Sequence, residues 1–152
     1  EEKELTEGRR AFDPVFINNQ EICFLASTGE QTDIFKLRIG GQLEQLSHFP
    51  RGQRMQELAV SPDKQELAMA VFQDKKNYHA IATYRLPDNN YSEIFKDSST
   101  VRNPLFTTNT NLVFARHETG GVNLFKTAIS GGEITRLTNF SGLVVPYDLA
   151  DR

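Results

Sequence analysis

The chain contains a single cysteine, Cys23, and only three histidines, His48, His79 and His117, among its 152 residues. A lone thiol excludes an intramolecular disulfide and a cysteine-based zinc site. No two histidines have His-x-x-x-His spacing, and His-Glu-x-x-His is absent, so there is no preformed zinc helix. Apolar runs such as 22–26 and 143–146, and the six residues 67–72, fall far short of the roughly 20 residues that span a bilayer. Neither sign of charge dominates: 17 Lys and Arg stand against 20 Asp and Glu, for a net charge of −3. That balance lacks the basic footprint of a phosphate-neutralising surface, so neither nucleic-acid contact nor membrane insertion is expected. Gly-x-Gly-x-x-Gly, Gly-x-Ser-x-Gly and Asp-x-Asp-x-Asp-Gly are all missing, and with them the phosphate loop, the serine nucleophile elbow and the calcium loop. No catalytic constellation, metal site or cofactor is therefore expected within the chain. The first residue is Glu1 and no signal peptide is visible, which reads as a chain processed or lying inside a longer protein.

What is present is aromatic and β-branched. Eleven Phe and four Tyr sit among Val, Ile and Thr in runs of four to seven residues bounded by Gly, Asn, Asp and Pro. Examples are Glu21-Ile22-Cys23-Phe24-Leu25-Ala26, Glu66-Leu67-Ala68-Met69-Ala70-Val71-Phe72 and Asn111-Leu112-Val113-Phe114-Ala115-Arg116. These are strand signals, and no capped i, i+3, i+4, i+7 pattern competes with them. The fold class is all-β.

The strands repeat. Asp13-Pro14-Val15-Phe16 matches Asn103-Pro104-Leu105-Phe106 at an offset of 90, and Asp33-Ile34-Phe35-Lys36 matches Asn123-Leu124-Phe125-Lys126 at the same offset. A copy between them, Glu57-Leu58-Ala59-Val60-Ser61-Pro62-Asp63, follows the first by 44 residues and precedes the third by 46. Four strands in a period of about 45 residues is the signature of a β-propeller blade. Gly40-Gly41, Gly120-Gly121, Gly131-Gly132 and Asn89-Asn90 supply the hairpin turns.

The expected organisation is three blades, 11–50, 51–98 and 99–141, built of four antiparallel strands each. Leu5-Thr6 lies eight residues before Pro14, as Leu137-Thr138 lies eight before Pro146. Residues 1–10 therefore read as the last strand of a preceding blade, and 142–152 as the first strand of a following one. Propellers usually close with four to eight blades, so open blade faces imply a portion of a larger ring, or self-association.

The blade sequence resembles the repeat of the TolB-type β-propellers. Ala59-Val60-Ser61-Pro62-Asp63 carries the family's Ser-Pro-Asp turn, with Lys64 where Gly is usual. Phe16-Ile17-Asn18-Asn19 and Phe106-Thr107-Thr108-Asn109 are degenerate versions of it, and Leu5-Thr6, Leu46-Ser47 and Leu137-Thr138 match the closing pair. The resemblance implies a non-catalytic interaction or sensing scaffold that is periplasmic or otherwise extracytoplasmic. Such a scaffold would be a Tol-system-like component or the sensor part of a membrane-anchored transcription regulator. The alternative it implies is the substrate-gating propeller of a prolyl-oligopeptidase-like serine peptidase, with the chemistry on a separate domain.

A protein or peptide partner would dock on rim loops, those entering first strands and those joining second to third strands. Phe49, Arg51, Arg54, Tyr78 and Tyr91 are the candidate anchors, because aromatics and Arg dominate binding hot spots. Ordinary exposed loop residues are the competing reading. Cys23 reads as a small buried hydrophobe, and Asp33, Asp63, Asp74, Asp88 and Asp97 as acids of strand edges and turns.

Overall fold

The computed structural model describes residues 10–141; the flanking strands expected in 1–10 and 142–152 lie, but for residue 10, outside the described residues. Twelve strands form three four-stranded antiparallel sheets, each in simple chain order. The first comprises β1 (Ala11–Phe16), β2 (Glu21–Ser27), β3 (Thr32–Arg38) and β4 (Leu43–Gln45). The second comprises β5 (Gln53–Val60), β6 (Glu66–Gln73), β7 (Tyr78–Arg85) and β8 (Asn90–Asp97). The third comprises β9 (Val101–Thr108), β10 (Asn111–Glu118), β11 (Gly121–Ala128) and β12 (Thr135–Arg136). No helix occurs among the described residues, and the sheets are the blades of a β-propeller.

The apolar run of β6 is continuous because both faces of the middle blade are covered. Leu67, Met69 and Val71 meet Cys23, Leu25 and Ile34 of the first blade. Ala68 and Ala70, on the opposite face, meet Val101, Leu112, Phe114 and Phe125 of the third. Size is complementary across that second joint: two alanines make room for the rings of Phe114 and Phe95, whose centroids are 5.2 Å apart.

The inner strands β1, β5 and β9 share a defect. Each breaks register at a bulge, and Asp13, Glu57 and Asn103 there have φ of 51°, 61° and 52°. Left-handed backbone is tolerated by Asp and Asn but costly for a longer side chain. A blade-to-blade ladder offsets the cost. The Asp13 carboxylate accepts from the backbone N–H of Glu57, and the Glu57 carboxylate accepts from the N–H of Asn103 at 2.6 Å.

A second repeated device ties outer strands down. Asp33 is buried, and its carboxylate accepts from Thr28 Oγ1, from Ser47 Oγ at 3.0 Å and from the Phe49 N–H at 2.8 Å. Buried Asn123 does the same in the third blade, taking Thr138 Oγ1 at 3.0 Å and the Phe140 N–H at 2.7 Å. Asp33 is thus no solvated edge acid. The closing Leu-Ser and Leu-Thr pairs exist to meet this buried acceptor, and their hydroxyls in turn accept the N–H of Ile34 and of Leu124. The register puts Ala80 at the corresponding position of the middle blade, which therefore lacks this acceptor.

Candidate functional site

Strand direction places the starts of β5 and β9, the ends of β6 and β10, and the hairpins after β2, β6 and β10 at one end of the propeller. This is the rim expected to carry partner contacts; Phe49, Arg51, Arg54 and Tyr78 lie at it, whereas Tyr91 pairs with Tyr84 toward the opposite end of the blade and meets Gln53 and Phe49 through its side chain. The candidate anchors fall into three groups rather than one surface.

Phe49, Tyr78 and Tyr91 belong to a polar lattice that closes the joint between the first two blades. The Phe49 ring meets that of Tyr91 edge-on at 4.8 Å. The Tyr91 hydroxyl donates to Glu93 Oε1 at 3.0 Å and accepts from Gln53 Nε2 at 3.2 Å, and Gln73 Nε2 donates to Gln53 Oε1 at 2.6 Å. Tyr78 donates to both Glu93 oxygens, at 3.1 and 2.9 Å, and Lys96 pairs with Glu93 at 2.8 Å. Burial pushes the Glu93 carboxyl up, but Lys96, Tyr78 and Tyr91 outweigh it and hold the group below the ordinary Glu value. Burial and the adjacent carboxylate raise both tyrosines. Tyr78 and Tyr91 lie in strands, half-buried, with their hydroxyls committed to Glu93.

Arg51 forms the second group. It sits on the exposed connection between blades and bridges to Glu30, in the hairpin after β2, at 2.8 Å.

Arg54 forms the third. Burial alternates along the start of β5, with Gln53 and Met55 inside and Arg54 and Gln56 outside. This puts Arg54 at a cleft between the middle and third blades, where it bridges to Asp74 at 3.0 Å. The cleft has a volume of about 300 Å³, and Phe72, His79, Thr100 and Arg102 line it with Arg54. The Phe72 and His79 rings are 4.8 Å apart. Burial, then the charges of Arg102 and His117, lower the His79 pKa below the usual imidazole value. Arg102 is oriented by Glu57, its Nε lying 3.1 Å from the carboxylate that also holds the Asn103 N–H.

Sequence reasoning missed Phe72, His79, Thr100, Arg102 and Glu93. Arg102 carried a signal, since it directly precedes the repeated Asn103-Pro104 element and so stands at a blade joint. Glu93 carried none, because a single acid in an outer strand is ordinary. No group of three or more His, Cys, Asp or Glu is positioned to hold a metal among the described residues.

No known family's sequence profile matches the chain, and no curated protein matches it. Solved structures do. TolB from Acinetobacter baumannii superposes with a TM-score of 0.69 over 86% of this chain, at 16% identity. The fold is that of a TolB-type β-propeller. A puromycin hydrolase gives the same TM-score over 91% of the chain at 18% identity. The propeller domain of the Trilobed protease from Pyrococcus furiosus, described as having an open velcro topology, gives 0.62 over 87% at 11%. The chain spans 33% of the Acinetobacter TolB, 24% of the hydrolase and 44% of the Pyrococcus domain. The structures that share this fold thus include a TolB and a protease propeller domain, and likeness at this identity carries the blade architecture alone.

Proposed function

We propose that the chain is a non-catalytic recognition segment of a TolB-like propeller, binding a protein or peptide partner at the rim that carries Arg51, Arg54 and the β6–β7 hairpin. The observation that carries this reading is the division of labour at that end. Phe49, Tyr78 and Tyr91 anchor a rigid joint, while Arg51 stands exposed beside Glu30 and Arg54 lines an open cleft. A fixed support under adaptable charged side chains is how binding surfaces are presented on rigid scaffolds. An extracytoplasmic sensing scaffold, periplasmic in the manner of a Tol-system component, is the setting this proposal includes.

The test is a peptide-display selection against the chain, followed by binding of the selected peptides to a variant combining Arg51→Glu, Arg54→Glu and Lys75→Glu. Loss of binding with unchanged circular dichroism supports the rim. Retained binding in the folded variant refutes it.

A gating role within a serine peptidase is the second reading, favoured by the protease propeller domain and the puromycin hydrolase among the structural matches. Its mark would be a Gly-x-Ser-x-Gly segment in a parent chain, and a substrate size limit widened by shortening the hairpin at 74–77.

The same proposal places blade docking at the outer margin of the third blade. Leu46 and Phe49 of the first blade are covered by the middle one, Tyr84 donating to the Leu46 carbonyl at 2.7 Å. Their counterparts Leu137 and Phe140 are 49% and 57% exposed. A further blade, from the same ring or a second copy of the chain, would cover them.

A further inference from the structure

The cleft between the middle and third blades has a lining of unusual sign. Arg54 and Arg102 are its charged groups, His79 and Thr100 add hydrogen-bonding capacity, and no acidic side chain lines it. The two carboxylates that balance the arginines, Asp74 at 3.0 Å from Arg54 and Glu57 at 3.1 Å from Arg102, reach them from outside the lining. Asp74 belongs to the β6–β7 hairpin, and Glu57 is held in the inner ladder by the Asn103 N–H. Each guanidinium has five N–H donors in a planar fork, and one carboxylate accepts from two of them at most. The rest of the lining is largely apolar, with Ala70 and Val101 of the joint between these two blades and the Phe72 ring. The volume, about 300 Å³, takes one amino-acid residue rather than a folded segment.

We propose that this cleft is a carboxylate subsite, receiving a peptide carboxylate between Arg54 and Arg102 with the adjoining aliphatic carbon over Ala70 and Val101. The inference rests on the rim-binding reading above and deepens it by naming the chemical class recognised. Arg102 supplies a fork already oriented by Glu57, so less side-chain freedom is lost on binding. Arg54, at the cleft mouth, exchanges part of its pairing with Asp74 for the incoming anion. The carboxylate has two possible sources, a C-terminal residue or an Asp or Glu side chain.

Three probes separate them: acetyl-Gly-Ala-Leu with a free carboxylate, acetyl-Gly-Asp-Leu-amide and acetyl-Gly-Ala-Leu-amide. Each is titrated into the 152-residue chain while the arginine Nε–Hε and histidine ring resonances are followed by NMR. Saturable shifts of Arg54, Arg102 and His79 with the first probe identify a C-terminal subsite, and with the second an acidic side-chain subsite. The neutral amide should shift them little. Arg102→Gln should weaken the binding acid by about tenfold, the loss of one charged hydrogen-bonding partner. Arg54→Gln serves the same purpose at a position outside the inner ladder, and Arg85→Gln, at the far end of β7 beside Asp88, should leave the affinity unchanged. Equal shifts with acid and amide, absence of shifts in the cleft, or full affinity in folded Arg54→Gln or Arg102→Gln would overturn the subsite. Peptides selected by display that bind the rim regardless of these two variants would leave the wider reading standing without it.

Discussion

The carboxylate of Glu57 accepts the backbone N–H of Asn103 at 2.6 Å while its other oxygen lies 3.1 Å from Arg102 Nε. One side chain, itself on a left-handed backbone, thereby joins two blades and aims an arginine. The Asp13–Glu57 contact repeats the backbone half of this relationship one blade earlier. The ladder couples fold to candidate site, because whatever loosens the joint also releases Arg102.

Replacing Glu57 tests the ladder. Glu57→Ala should lower stability by about 1–3 kcal/mol, since a part-buried N–H loses its acceptor. Glu57→Gln keeps the acceptor and should cost less. Glu57→Gly should fall below the alanine loss, because glycine relieves the left-handed strain that alanine retains. Urea midpoints of the three variants give the order.

Asp33 and Asn123 occupy the same position, so Asp33→Asn should be mild. Its carboxamide oxygen can accept the Ser47 hydroxyl and Phe49 N–H as Asn123 does for Thr138 and Phe140. Asp33→Ala removes the acceptor from three donors and should cost about 2–4 kcal/mol. Denaturant unfolding compares them, and equal losses would contradict the proposed lock.

Phe114 tests the alanine-lined joint. Burying that ring against Ala68 and Ala70 leaves nothing able to fill its space, so Phe114→Ala should destabilise by about 3–5 kcal/mol. Ala70→Leu should also destabilise, by about 1–3 kcal/mol, through overpacking. Thermal or urea unfolding gives both values.

His79 predicts an acid-side loss of stability. Its pKa is lowered from 6.5 in the folded chain by burial and by Arg102 and His117, so the unfolded chain binds the proton more readily. Stability is complete above pH 6.5 and declines as the pH falls through 6.5 toward the lowered folded value. Glu93 adds a separate loss at lower pH. Its carboxylate is held below 4.5, so its contribution is present above that value and lost as the pH falls through the folded one. Urea midpoints between pH 7.5 and 5 should show the first step, and His79→Asn should remove it.

Cys23 should react slowly. Burial pushes its thiol up to about 12, so little thiolate forms near neutrality and the sulfur is enclosed. Iodoacetamide labelling should follow global unfolding as urea is added, with no earlier phase.

Much of the blade was legible along the chain because it is written in local terms. The offset of Asp13-Pro14 from Asn103-Pro104 marked equivalent inner strands, and the apolar run from Leu67 to Phe72 announced a strand covered on both sides. Lys64, standing where the repeat favours glycine, takes the positive φ of that turn, 62°. The anchors were harder. Tyr78 and Tyr91 read as rim aromatics, but only spatial neighbours reveal that Glu93 commits their hydroxyls. The acid at 33 resembled any edge carboxylate until the fold brought Ser47 and Phe49 to it from more than a dozen residues away.

Alternation and turn chemistry by themselves determined the all-β class, the apolar middle strands and the repeat, since each depends on neighbours two to five positions apart. Tertiary structure alone decided the ladder through Glu57, the split of the rim into joint and cleft, and the union of Arg54 with Arg102. Those residues stand 48 positions apart, and their approach depends on how one blade packs on the next. No local preference encodes that distance; it comes from burying large side chains against small ones across the joint.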